Sequence, residues 1–128
     1  MPTFEDTLRM EIRKAAEDRR NFDTQWEIRR RKILSTLERA AVVISSEIGE
    51  SKASINNGGV ALKVNGFEIR FSPDRVKLQI ACSSNIGHDL LERFDLESLT
   101  DNMVEVKVRQ FACNAERNDK PLVYEVTW

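Results

Sequence analysis

Thr3 to Gly49 read TFEDTLRMEIRKAAEDRRNFDTQWEIRRRKILSTLERAAVVISSEIG, with no proline and no glycine before Gly49. Those two residue types are the usual helix breakers, so a run this long without them predicts helix. At about 100° per residue, Phe4, Leu8, Ile12, Ala15, Ala16, Phe22, Trp26, Ile33, Leu34, Leu37, Ala40, Ala41, Ile44 and Ile48 share one arc. The arc is roughly 120° wide, as an amphipathic helix requires. Glu5, Arg19, Asp23 and Arg30 intrude on it. The opposite face is charged, with opposite signs at helical spacing, as in Glu27 and Arg31.

The stripe keeps one phase from end to end, which favours a single continuous helix. Asn21-Phe22-Asp23-Thr24 offers a rival reading, a break near 21–24, with Thr24 and Glu27 spaced as a capping box. The helix ends at Gly49, a natural residue just past a C-terminus. Such a rod is on the order of 70 Å long, whereas a seven-residue strand spans about 24 Å. A sheet of ordinary strands leaves part of the stripe uncovered. Either the helix folds back or a second copy covers it. The intact helix predicts a homodimer or larger. Leu8, Ile12, Arg19, Phe22, Trp26 and Arg30 are then the expected oligomer or partner interface.

Outward from the helix, 51–59 reads as a polar loop and 60–128 as an antiparallel sheet. Val60 to Val64 and Phe67 to Phe71 alternate apolar and polar residues around Asn65-Gly66, the strongest short hairpin signal. The register pairs Val64 with Phe67, Leu62 with Ile69 and Val60 with Phe71, and Lys63 with Glu68 on the outer face. Ser72-Pro73-Asp74-Arg75 reads as the next turn. A third strand then shows Val76, Leu78, Ile80 and Cys82 on one face. Residues 88–94 read as one or two helical turns. Val104, Val106 and Val108 suggest a fourth strand with a bulge near Gln110-Phe111. Leu122 to Trp128 suggests a fifth.

The expected fold is therefore α+β: a long N-terminal amphipathic helix, continuous or broken near 21–24, packed on one face of a roughly five-stranded antiparallel sheet. A short helix is expected between the third and fourth strands. Residues 1–128 form one domain: 1–50 helical, 51–59 loop, 60–128 sheet. The chain is 41% hydrophobic and 32% charged, apolar enough for a packed core. Its net charge of −1 supplies no general attraction for nucleic acid or an anionic membrane. Met1-Pro2-Thr3-Phe4-Glu5-Asp6 does not resemble a secretory leader. No run nears the roughly 18 apolar residues of a membrane span. A cytoplasmic protein is expected, with Cys82 and Cys113 as reduced thiols in strands.

Residues with catalytic chemistry are sparse. His88 is the only histidine and stands before Asp89 at an expected helix start, a surface position. The two cysteines lack zinc spacing, and the glycines form no phosphate loop. No catalytic, cofactor or metal site is expected. Two charged groupings remain. Arg29, Arg31 and Lys32 could follow a phosphate backbone beside Trp26, although consecutive helical residues point in different directions. Arg70 opposite Lys77 would form a like-charge pair, hence an anion or acidic-partner surface. The expected function is a non-catalytic oligomeric interaction module: an adaptor, chaperone or protein inhibitor. A nucleic-acid binder and a small enzyme with a carboxylate-only site are the alternatives.

Overall fold

A computed structural model of the chain describes residues 1–86 and 90–118. The architecture is α+β, with a long N-terminal helix on a five-stranded antiparallel sheet and a second, C-terminal helix beside it. Helix α1 runs Phe4–Glu47 without a break. Thr3 caps it, its side chain accepting from the Asp6 amide at 3.1 Å. Thr24 does not start a new helix. Its hydroxyl donates to the Arg20 carbonyl at 2.9 Å, the internal back-bond open to threonine inside a helix. The Gly49 amide reaches back to the Ile44 carbonyl at 3.1 Å and closes the C-terminus.

The strands are β1 (Ser51–Asn56), β2 (Gly59–Val64), β3 (Phe67–Asp74), β4 (Gln79–Ser84) and β5 (Leu90–Asp95), ordered β1-β2-β3-β4-β5 in one antiparallel meander. The β2–β3 register is the expected one: Val64 opposite Phe67, Leu62 opposite Ile69, Val60 opposite Phe71 and Lys63 opposite Glu68. Asn65 and Gly66 take φ of 49° and 85°, as the two-residue turn demands. The expected polar loop at 51–59 is instead mostly β1 and a second turn of the same kind, with Asn57 and Gly58 at φ 49° and 80°. Gly59 has a separate constraint. A Cβ there would lie 2.7 Å from the Phe71 carbonyl oxygen, so the strands approach as closely as they do only with glycine.

Three further expectations are corrected. The turn lies not at Ser72–Arg75 but at residues 75–78, and Pro73 stays in β3 opposite Ile80. Asp74 accepts from the Lys77 amide at 3.3 Å, which turns the chain after the aspartate. The short helix between the third and fourth strands is not present among the described residues. Leu90–Asp95 is β5, because the open edge of β4 takes it as a pairing partner. Residues 104–109 are not a strand but part of helix α2, Asp101–Asn118. Its buried residues, Val104, Val108, Phe111 and Ala115, follow helical spacing, and the phase change at Gln110-Phe111 needs no bulge. The expected strand at 122–128 lies outside the described residues.

Helix α1 packs on β1 and β2, and α2 packs against α1 and β3. The core holds Ile33, Leu37 and Ile44 of α1, Val60, Leu62, Val64, Ile69, Phe71 and Ile80 of the sheet, and the apolar face of α2. No charged side chain among the described residues is buried there. Each such large apolar side chain contributes about 1.5–3 kcal/mol by leaving water. No helix among the described residues is long and apolar enough to cross a membrane.

Candidate protein-interaction surface

The apolar stripe of α1 outlasts its cover. Phe22 and Trp26 are only 6% and 4% exposed, yet Phe4, Leu8 and Ile12, on the same stripe, are 75%, 42% and 59% exposed. Two contacts mark where the cover stops. The Trp26 indole donates to the Gly58 carbonyl in the β1–β2 turn at 2.8 Å. The Arg75 guanidinium in the β3–β4 turn meets the Asp23 carboxylate at 3.0 Å. Both turns therefore point toward the N-terminal part of α1, and the buried core of the helix ends at Phe22. Residues 4–20 project beyond as an arm about 25 Å long.

This places the expected interface residues in three groups. Leu8, Ile12 and Arg19 are exposed on the arm. Phe22 and Trp26 are a correction: they belong to the chain's own core. Strand β3, at eight residues, is longer than the five read from the sequence, so its turn covers more of α1. Arg30 is half-buried within the covered part. Asp23, which also intrudes on the arc, is paired with Arg75.

At the base of the arm the β3–β4 turn leans over the helix and forms an open cleft of about 420 Å³. Ile12, Ala15, Ala16 and Arg19 form one wall, and Val76 and Leu78 the other. Val76 is 93% exposed at the tip of the turn. No periodic pattern marks the cleft in the sequence, because its walls lie some sixty residues apart.

The two charged groupings do not assemble. Arg29 turns inward to join α1 to α2: its guanidinium donates to the Leu99 carbonyl and meets Asp101 at 3.0 Å. Arg31 pairs with Glu27 on its own helix at 3.2 Å, and Lys32 borders, with Arg29, a surface hollow whose other wall holds the acids Glu97 and Asp101. Arg29, Arg31 and Lys32 thus form no single basic track. Arg70 is not opposite Lys77 but opposite Ser83, and donates to the Asn56 carbonyl at 3.3 Å. Lys77 sits in the β3–β4 turn. The assumed early turn had shifted the register by several residues. His88 lies outside the described residues.

Several carboxylates answer cations on other elements: Asp74 with Arg93 at 3.3 Å, Glu92 with Lys107 at 2.7 Å, Asp101 with Arg29. No group of acids, cysteines and histidines suited to a metal ion occurs among the described residues. Both thiols are free. Cys82 lies in β4 as expected, and burial pushes it up to about 11, with Lys107 pulling the other way. Cys113, expected in a strand core, is instead exposed on α2. Near Cys82 a hollow of about 60 Å³ borders Glu92, Lys107, Gln110 and Asn114. It is too small for a drug-sized ligand.

No known protein family matches the chain, and neither a curated protein nor a solved structure matches it.

Proposed function

We propose that this chain is a non-catalytic protein-interaction module, an adaptor, chaperone or protein inhibitor, that works as a homo-oligomer in the cytoplasm. The observation that carries the reading is the arm: one continuous stripe, packed from Phe22 onward and exposed from Phe4 to Ile12. A helix does not hold an apolar face in water without a reason, and contiguous exposed apolar surface is the usual sign of a protein contact. Isolated helical segments of this length are marginal in water, so a partner would also stabilise the arm. The two free thiols suit a reducing compartment.

Light scattering tests the reading. The wild-type chain at tens of micromolar is expected to have a mass of at least twice 14.7 kDa. Leu8→Asp combined with Ile12→Asp is expected to yield the monomer with its melting transition retained. Each aspartate would put a charge into an apolar contact, which is strongly unfavourable unless paired. A wild-type monomer would refute self-association.

A further inference from the structure

We infer that the arm's occupant is the arm of a second copy, running antiparallel across a two-fold axis near Ile12, with Phe4 and Leu8 of each copy seated at the partner's cleft. The inference rests on the self-association reading and adds the geometry. Three observations on the molecule support it.

The first is steric. The exposed stripe lies on the same side of α1 as the sheet, because it is the same stripe that the sheet covers from Phe22 onward. Two arms facing each other in parallel would carry both sheets into the space between the two helices. Running antiparallel, the two sheets lie at opposite ends. An axis at Ile12 sets residue 4 against residue 20 of the partner, just short of Phe22, where the cover begins. The length of the arm is thus used in full, and the partner meets the β3–β4 turn only at the cleft that Val76 and Leu78 line.

The second is charge. Residues 4–20 carry five acids and five bases. Glu5 and Asp6 stand at the start, and Arg19 and Arg20 at the end. Antiparallel pairing about Ile12 sets Glu5 of each copy against Arg19 of the other at both ends, and Glu11 against Arg13, while Asp6 falls opposite Asp18. Parallel pairing would set acid on acid and arginine on arginine. Opposed like charges are the device by which helix pairs reject an orientation.

The third is shape. About the same axis Leu8 falls opposite Ala16 of the partner, beside Ala15. Two alanines leave room for a larger side chain, and Val76 and Leu78 close the other side of that space. Symmetry uses both clefts, as a closed two-fold contact must.

The test uses the full chain with Cys113→Ser, so that one introduced thiol reports. Oxidation is expected to link Ile12→Cys into a covalent dimer and to leave Leu8→Cys largely unlinked, since residue 8 meets its own copy only in parallel pairing. Sedimentation then reads the charges. Arg19→Glu with Arg20→Glu is expected to weaken the dimer by about tenfold or more. Adding Glu5→Arg and Asp6→Arg is expected to recover most of that loss, with circular dichroism confirming that the helix persists. A dimer in which Leu8→Cys links as readily as Ile12→Cys, or in which the fourfold charge swap brings no recovery, overturns the antiparallel arrangement and leaves self-association standing. A wild-type monomer overturns both.

Discussion

From Phe22 to Ile44 the apolar stripe of α1 lies under the sheet and against α2. From Phe4 to Ile12 the same stripe, in the same phase, faces water. Composition does not separate the two parts, since both carry large apolar residues at helical spacing among charges of both signs. What separates them is reach. Close packing under the β1–β2 and β3–β4 turns stops near residue 22, and the helix does not. An amphipathic helix therefore declares which face it will bury, but not how much of that face its own chain can cover.

The sharpest way to break the comparison is to remove one leucine from each part. Leu37 is fully buried. Leu37→Ala is expected to cost about 2–5 kcal/mol, the range for a leucine deleted from a packed core. Leu8→Ala, measured at a concentration too low for association, should cost no more than about 0.5 kcal/mol, as for a surface site. Urea titration of both variants decides it, and equal losses would mean that the arm is packed within the monomer.

A smaller effect is expected at the boundary itself. Asn57 and Gly58 both hold positive φ, and nothing lies within 4 Å of a Cβ added at Gly58. Replacing both with alanine should therefore cost backbone strain alone, about 1 kcal/mol for each left-handed position. Trp26→Phe removes the indole's bond to the Gly58 carbonyl, worth about 1 kcal/mol. Because the turn positions the carbonyl that the indole uses, the combined variant should lose less than the sum. Strict additivity in thermal melts would show that the turn does not hold Trp26 in place.

The smallest effect is at the last contact before the arm. Arg75→Ala breaks an ion pair whose arginine is largely exposed, so at most about 1 kcal/mol is expected in melting experiments. Hydrogen exchange should respond more clearly, with faster exchange of amides near residues 19–23 and unchanged exchange near Leu37. A uniform change along α1 would mean that the boundary lies elsewhere.

Legibility varied with how local the signal was. The Asn65-Gly66 hairpin was readable to the residue, because flanking alternation and turn chemistry agree. Asn57-Gly58 carries the same turn signal and went unread. Its first strand, Ser51–Asn56, is polar and shows little alternation. It is a strand because it pairs with β2 at the sheet edge. Residues 104–109 were misread because Val104 and Val108 fit both periods. Only Phe111 and Ala115, further along, distinguish helix from strand. Leu90–Asp95 is short enough for either, and the edge of β4 decided it. Of the candidate surface, Leu8 and Ile12 were legible as stripe residues, whereas the cleft wall of Val76 and Leu78 was not.

By itself the sequence determined the things that depend on neighbours a few residues away: one uninterrupted helical phase from Phe4 to Ile48, its buried side, and the register of β2 against β3. The tertiary structure alone decided the identity of β1 and β5, the pairing of Asp23 with Arg75, and the residue at which the cover of α1 ends. The physical reason is that periodicity is a property of the backbone's own geometry. Edge pairing and coverage depend instead on the reach of distant strands, which no local pattern encodes.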